Sequence, residues 1–359
     1  MANSENVAQM LNLLNYPCFA VQDGKIVMIN ESAKNHFFET GKEINDILLT
    51  GHEEYSAFTD GCLYLTLCAH GCVYDAAVLA VDNFHLFLME HTPSRSELQA
   101  LALASQQLRI PLADILAATD GLFSRDNDNI SEAEKQNINQ INKGIYQLLR
   151  LIGNMSDAAR YLENPQSDLT TENITAIIEE VMEKSTTLLT DAGITLRFRT
   201  DPKPVYALAS KERLERAVYN LVSNAAKFSD AGAVIDAVIT VKNNLMYFTI
   251  SNPGDGIAKE IRGNIFNRFL RPPALEDHRF GTGLGMVIVH SAAAAHGGTV
   301  LVEHPADGGT KVTLTIKLNR SAKPIVRSTT FSVDYAGGHD HGLLELSDVL
   351  PESTFDKYL

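Results

Sequence analysis

The chain has 359 residues, of which 45% are hydrophobic, and a formal net charge of −14 at pH 7. A chain of this length is expected to form two or three domains with sizeable cores. The acidic balance disfavours nucleic acid and anionic membrane as partners. Because no apolar run reaches the length of a membrane span and the N-terminus lacks a secretory pattern, we expect a cytoplasmic protein with no membrane span.

The first part of the chain, residues 1–92, is expected to be a small α+β domain. After a short helix, the apolar runs 18–22 and 25–29 flank Asp23 and Gly24, which is the pattern of a hairpin with a tight turn. Further runs predict strands at 62–67, 72–81 and 84–89.

All four cysteines lie in this first part, at positions 18, 62, 68 and 72. Free cysteine is commonly a buried apolar residue, so packing in the core is the expected role. An alternative is a metal or redox site, since Cys68, His70 and Cys72 would share one face of a strand. The usual pair of cysteines separated by two residues is missing, which favours core packing.

A boundary at residues 93–94 precedes two predicted long helices, at about 95–123 and 132–162. Ser131 and Glu134 predict a capping box at the start of the second helix. Heptad-spaced residues, typical of packed helices, are Leu101, Ser105, Leu108, Leu112, Ile115, Thr119 and Leu122 in the first helix, and Ile138, Ile141, Ile145, Leu148, Ile152 and Met155 in the second. A lone hairpin buries little surface, so we expect two copies to pair as a four-helix bundle.

An amphipathic helix is predicted from residue 211, and it carries Asn220, Asn224 and Lys227. The two asparagines are four positions apart, so their amides project from one face of the helix. An amide oxygen such as that of Asn224 is a suitable ligand for Mg²⁺, which prefers oxygen. The pair is the first component of a candidate site.

Two glycine-bearing loops follow this helix. The first, at 252–257, comes directly after an alternating strand at 245–251, and the second, at 281–285, opens an apolar helix at 286–295. Glycine lets a loop adopt positive φ and bring its N–H groups close to phosphate oxygens. The free N–H groups and the dipole of the helix after the second loop would point at the same anion. The loops therefore predict a phosphate-binding site.

The order of these motifs resembles the ATP-binding domain of sensor histidine kinases, in the superfamily shared with DNA gyrase and MutL. Residues 220–229 are similar to the N box of the family, 252–257 to its first glycine box, 265–269 to its F box and 281–285 to its second glycine box. The resemblance covers roughly residues 168–318 and implies that ATP and Mg²⁺ are the cofactors, with Mg²⁺ held through Asn224. The nucleotide-binding residues that it implies are Asn220, Asn224, Lys227, Asn252, Gly254, Gly256, Ile257, Gly281, Thr282, Gly283, Leu284 and Gly285.

The same resemblance implies a multidomain α+β protein. Residues 1–92 resemble a degenerate PAS sensor domain, chiefly through their position before a kinase-like core. Residues 93–164 would form an antiparallel helical hairpin for dimerisation, and residues 165–320 an ATP-binding α/β sandwich. Residues 321–359 follow as a C-terminal tail, for which a docking tail and a packed extension are both open.

The chain departs from the family at its phosphoacceptor box, which residues 105–112 resemble. In the family the second position of this box is the phosphorylated histidine, the third is an acid, and the sixth is often a Thr or Asn that positions water. This chain has Gln106, Gln107 and Ile110 there. A glutamine amide is no useful nucleophile because its nitrogen lone pair is delocalised into the carbonyl, and Gln107 has no titratable proton. We therefore expect no autophosphorylation at position 106.

The ATP site departs less from the family. Asn252 stands where the family has an adenine-binding Asp; its amide oxygen could accept the adenine N6 hydrogen, or its NH₂ group could be presented instead. Asn220 stands where hydrolytic relatives such as gyrase have a Glu general base, and an amide cannot deprotonate water. The site thus resembles the kinase branch. Elsewhere, His290 and His296 are expected to be structural.

Two hypotheses on function follow from these residues. In the first, the protein is a pseudokinase: it binds Mg-ATP and regulates a partner kinase or a response regulator without phosphoryl transfer. In the second, it is an active ATP-dependent kinase that uses another acceptor residue or a partner protein. Gln106, Gln107 and Ile110 favour the first, and the preserved Asn220 and Asn224 keep the second open.

Overall fold

The structure, a computed structural model, describes residues 4–89, 95–123, 131–163, 169–200, 203–254, 256–257, 283–306, 308–318, 336 and 338–356. Its α-helices in these ranges are α1 (Ser4–Asn12), α2 (Glu31–Asn35), α3 (His52–Ser56), α4 (Arg95–Phe123), α5 (Glu132–Glu163), α6 (Ile174–Asp191), α7 (Lys211–Lys227), α8 (Leu284–Ala295) and α9 (His341–Leu346). Its strands are β1 (Cys18–Gln22), β2 (Lys25–Ile29), β3 (Cys62–Ala69), β4 (Cys72–Val81), β5 (Phe84–Met89), β6 (Thr170–Asn173), β7 (Thr195–Arg199), β8 (Tyr206–Ala209), β9 (Val234–Lys242), β10 (Leu245–Asn252), β11 (Val300–Glu303) and β12 (Thr310–Lys317).

The N-terminal strands form an antiparallel sheet in the order β2-β1-β5-β4-β3. The tight turn expected between β1 and β2 is present, because Asp23 and Gly24 both adopt positive φ, at 51° and 78°. Phe19 and Phe87 stack on one face of this sheet, with ring centroids 4.8 Å apart, and lie in a buried apolar cluster with Phe38. This face is the core of the N-terminal part.

Two of the four cysteines are core residues. Cys18 and Cys62 are buried, and burial raises the pKa of each thiol to about 12, so both stay protonated at neutral pH. The expectation that Cys68, His70 and Cys72 share one strand face is wrong, because His70 lies in the turn between β3 and β4 with φ 49°. Cys68 therefore belongs to one strand and Cys72 to the next.

The two long helices α4 and α5 begin and end within one residue of the predicted bounds. The capping box is present: the Ser131 N–H donates to Glu134 Oε2 at 2.9 Å, and the Glu134 N–H donates to Ser131 Oγ at 3.3 Å. Of the heptad positions with described side chains, four are buried (Ser105, Leu112, Ile145, Ile152), four are exposed (Leu108, Ile115, Ile141, Leu148), and Ile138 and Met155 are half-buried. In the part of the chain that the structure describes, no helix is long and apolar enough to cross a bilayer.

The part that follows is a layer of helices on a mixed sheet. Strands β11, β12, β10, β9 and β7 are neighbours in that order, and β7 pairs with β9 in parallel. Helices α6, α7 and α8 cover this sheet, and Val218, Leu221 and Phe248 lie in their common core. The expected alternation of β10 is observed, with Met246, Phe248 and Ile250 buried. This layer places the N-terminal end of α8 beside α7.

The N-terminal sheet and this second sheet join at their edges. Strand β3 pairs antiparallel with β11, so that Leu63 lies opposite Leu301, and one ten-stranded sheet results. Glu54 strengthens the junction by accepting the hydroxyl protons of Thr299 at 3.2 Å and Thr315 at 2.8 Å. The ring of His290 lies 3.8 Å from that of Tyr64 between centroids. No motif or periodicity in the sequence indicates this junction.

The described part of the C-terminal tail is a packed extension. Helix α9 and the 3-10 helix Glu352–Asp356 lie against α5, α6 and α7, and Leu343, Leu346 and Phe355 are buried there. Residues 321–335 lie outside the described residues.

Candidate nucleotide site

The helix that carries the N box, α7, begins at a well-defined cap. Ser210 is the N-cap residue, and its Oγ accepts the N–H of Arg213 at 3.4 Å. The backbone N–H of Ser210 donates in turn to Nε2 of His296 at 3.0 Å, and Nδ1 of His296 lies 2.6 Å from the carbonyl oxygen of Ala292 on α8. A neutral imidazole with its proton on Nδ1 satisfies both contacts. His296 therefore positions α7 relative to α8.

Burial lowers the pKa of His296 from 6.5 to about 4. A pKa lower in the folded than in the unfolded state means that the neutral side chain contributes stability above pH 6.5 and loses it as the pH falls towards 4. We expect the free energy of unfolding to fall by about 3 kcal/mol over this range on account of His296 alone. Urea unfolding at several pH values gives the free energy of unfolding of the wild type and of His296→Gln. The contribution of His296 is the difference between the slopes of these free energies against pH.

Exposed His52 provides the matched control, because His52→Gln should keep the wild-type slope between pH 6.5 and pH 4. Equal slopes for the wild type and His296→Gln would contradict the expectation.

The two asparagines of α7 both contact the first turn of α8. Asn220 is buried and donates through Nδ2 to the carbonyl oxygen of Arg216 at 2.8 Å, while its Oδ1 faces Gly285 so closely that a Cβ there would lie 2.8 Å from it. Asn224 is half-buried, and its Nδ2 lies 3.3 Å from Sδ of Met286. Glycine at position 285 is therefore required for the N box and α8 to approach.

The first glycine loop is held in place by the loop before β12. The N–H of Gly309 donates to the carbonyl oxygen of Gly254 at 2.7 Å, and a Cβ on Gly309 would lie 2.3 Å from the carbonyl oxygen of Asn252. Gly256 has φ 72°, and a Cβ there would lie 2.7 Å from Nδ1 of His304. Ile257 follows with its N–H directed at the same nitrogen at 3.4 Å. Sequence reasoning missed the supporting role of His304.

The side chain of Asn252 has a defined orientation at the end of β10. Its NH₂ group donates to the carbonyl oxygens of Phe228 at 3.4 Å and Pro253 at 2.9 Å. The NH₂ group is thus bonded to backbone oxygens. The amide oxygen is the group that can accept a hydrogen bond from a donor in the site. This orientation favours the first of the two alternatives considered for adenine recognition.

The second glycine loop leads into α8, which begins at Leu284, two residues earlier than the predicted start at 286. Gly283 is the N-cap with φ 75°, and Leu284 and Gly285 form the start of the helix. Gly281, Thr282 and the F box at 265–269 lie outside the described residues. The N–H groups of the first turn of α8, beside Asn220 and Asn224, have no partners within the helix, as at the start of any α-helix.

Two cations lie beside the N box, and one of them was not predicted. Lys227 is the last residue of α7. Arg150, which α5 contributes, donates from Nη2 to Oδ1 of Asn220 at 3.3 Å. The one sequence signal for Arg150 is its position within the apolar run 148–152, where a charged residue requires a partner.

The degenerate phosphoacceptor box lies on the surface of α4. Gln106 and Gln107 are exposed and Ile110 is 68% exposed, whereas Ser105 is buried. The side chain at position 106 therefore points away from the packed face of the hairpin.

Comparisons with known proteins address the part of the chain that forms this site. Residues 209–320 match the family described as histidine kinase-, DNA gyrase B-, and HSP90-like ATPase. The sensor protein KdpD of Clostridium acetobutylicum is 30% identical over 211 residues, which are 57% of this chain and 23% of that protein. The sensor histidine kinase RppB of Synechocystis is 28% identical over 236 residues, 64% of this chain and 50% of RppB. Full-length ShkA, solved in complex with AMPPNP, is similar in fold with a TM-score of 0.51, at 23% identity over 63% of this chain and 47% of ShkA.

The chain spans half or less of the length of the two curated relatives. Within that span the matches confirm the resemblance on which the boxes of α7, β10 and α8 were assigned. Residues 209–320 therefore form a domain of the histidine kinase-, DNA gyrase B-, and HSP90-like ATPase family, in a chain that is similar to curated sensor histidine kinases.

Proposed function

We propose that this chain binds Mg-ATP between α7, the 252–257 loop and the start of α8, and that it acts in two-component signalling without phosphorylating its own position 106. The observation that carries the proposal is the convergence of both N-box amides on the first turn of α8. A nucleotide bound there would supply phosphate anions to the N–H groups of that turn, which have no partners within the helix.

The residues of the site suit a nucleotide chemically. Asn252 would accept the adenine amino group through its amide oxygen, because its NH₂ group is already bound to backbone oxygens. Asn224 would supply a neutral oxygen to Mg²⁺, and Lys227 would face the phosphates as a point charge. Asn220 cannot remove a proton from water, so the site is suited to binding and positioning a nucleotide more than to hydrolysing it.

The test of this proposal is the Asn224→Ala variant. Removing the amide oxygen should weaken binding of Mg-AMPPNP on the order of tenfold, because an Mg²⁺ ligand or its support is lost. Binding of AMPPNP in EDTA should change little. Isothermal titration calorimetry gives both dissociation constants.

The matched control is Asn137→Ala, since Asn137 is an exposed asparagine on a helix that is not α7. Absence of binding to the wild type would refute the proposal, and Asn252 would then be the first residue to restore to aspartate.

We also propose that the chain works as a homodimer through residues 95–163 and that its partner is a response regulator or another kinase. The exposed heptad residues Leu108, Ile115, Ile141 and Leu148 support the dimer. They continue the heptad spacing of the buried residues and are exposed to solvent in one hairpin, and a second hairpin in a four-helix bundle would bury them.

A further inference from the structure

The C-terminal segment, residues 338–356, brings a carboxylate to the two cations of the nucleotide site. Oδ2 of Asp348 lies 2.9 Å from Nη1 of Arg150 and 3.6 Å from Nζ of Lys227. Its other oxygen accepts the side-chain N–H of Gln147 at 3.3 Å. Asp348 is thus held by α5 and by the last residue of the N-box helix at the same time.

The position of Asp348 is set by the packing of α9. Asp340 caps this helix by accepting the N–H of Leu343 at 3.0 Å and pairs with Lys184 of α6 at 2.6 Å. Glu345, which is fully buried, pairs with Arg216 at 2.9 Å and with Arg150 at 3.4 Å. These contacts, and the buried leucines at 343, 344, 346 and 350, fix the segment over α5 and α7.

The cations that Asp348 engages lie beside the N-box amides, where the proposed site would hold phosphates. Arg150 contacts Oδ1 of Asn220, and Lys227 ends the helix that carries both N-box amides. Carboxylate and phosphate oxygens use the same donors of arginine and lysine, so one group excludes the other from them. The side chain of Asp348 is 32% exposed, so it can leave these donors for water at a lower desolvation cost than buried Glu345.

We propose that Asp348 is an internal competitor of the nucleotide phosphates, so that docking of residues 338–356 and binding of Mg-ATP oppose each other. This inference rests on the proposed nucleotide site. The coupling is reciprocal. The factor by which the docked segment weakens nucleotide binding equals the factor by which bound nucleotide weakens docking of the segment.

The experiment measures the dissociation constant of Mg-AMPPNP by calorimetry for the full chain. Asp348→Asn removes the charge and keeps the shape, and we expect it to tighten binding at least about fivefold, the lower range for coupled sites. Glu352→Gln is the matched control, because Glu352 lies in the same segment but is exposed, and its dissociation constant should equal that of the wild type. Thermal unfolding of each variant checks that it is folded.

A second variant displaces the segment without touching its charges. A Cβ on Gly342 would lie 2.8 Å from Cδ1 of Leu188 and 2.8 Å from Cγ of Lys184, so Gly342→Val should lift α9 from α6 and tighten Mg-AMPPNP binding as well. In the wild type, saturating Mg-AMPPNP should speed hydrogen exchange of the amides of residues 341–350.

Equal or weaker nucleotide binding by both Asp348→Asn and Gly342→Val would overturn the inference and leave the nucleotide site standing. Slower exchange of 341–350 with nucleotide would also overturn it, since the segment would then be part of the bound state. Absence of binding in the wild type and in both variants would refute the nucleotide site itself.

Discussion

Arg216→Ala is expected to lower the free energy of unfolding by about 3–5 kcal/mol, the usual cost of removing one partner of a buried ion pair. The guanidinium of Arg216 is 1% exposed, pairs with Glu345 at 2.9 Å and with Asp157, and donates to Oδ1 of Asn154 at 2.5 Å. Its removal would leave two buried carboxylates without this cation, and the cost arises because Glu345 is fully buried and Asp157 is only 8% exposed.

Urea unfolding followed by circular dichroism measures the change. Arg197→Ala is the control, because Arg197 is an exposed residue of β7 and its loss should cost within about 0.5 kcal/mol. A decrease of less than about 1 kcal/mol in the free energy of unfolding for Arg216→Ala would contradict this expectation. The ion pairs of Arg216 would then behave like surface ion pairs, which contribute little to stability.

The second large expected effect is that the double variant Gln106→His, Gln107→Glu becomes phosphorylated on α4. Wild-type protein should form no phosphohistidine on α4, because an amide at position 106 offers no nucleophile. The double variant restores an imidazole and an adjacent acid on an exposed helix surface, so it should cost within about 0.5 kcal/mol of stability. We expect it to become labelled by ATP carrying a radioactive γ-phosphate, in a form that acid removes.

Adding Asn224→Ala to the double variant should reduce this labelling at ATP concentrations below saturation, which ties the signal to the nucleotide site. If the double variant binds Mg-AMPPNP but is not labelled, the geometry needed for phosphoryl transfer is also lost. That result would favour a purely regulatory role. Wild-type phosphohistidine mapped to α4 would show that the alignment of residues 105–112 with the phosphoacceptor box is wrong.

Local patterns in the sequence were sufficient to predict several of the helices, turns and glycine positions. The heptad spacing and the Ser131 cap predicted α5 to within one residue, and the turn at Asp23 and Gly24 predicted the first hairpin. The glycines at 256 and 285 were recognised as parts of the two glycine loops. Each allows a neighbouring side chain to lie closer than a Cβ would permit. Each of these signals depends on residues that are near neighbours in the sequence.

The contacts that the sequence did not predict join residues far apart in the chain. Arg150, Arg216 and Glu345 meet through tertiary packing, and no periodicity or motif relates their positions. The sequence does not indicate that His296 supports the N-cap residue Ser210. The contact is made to the backbone N–H of Ser210, which every residue except proline has. The departure of His70 from a strand face has a different cause, because His70 and Gly71 both adopt positive φ, at 49° and 81°, and form a tight turn like that of Asp23 and Gly24.

The pairing of β3 with β11 has a consequence for any shorter version of this protein. Strand β11 is bonded on one side to β12 and on the other to β3, so a piece of the chain without residues 1–92 would leave one side of β11 with unpaired N–H and C=O groups. Val300 and Val302 would flank that open edge, and Thr299 would lose its contact with Glu54. Such an edge is a template for pairing with other chains, so an isolated ATPase domain would aggregate unless its β11 edge were blocked with a charged residue or a proline.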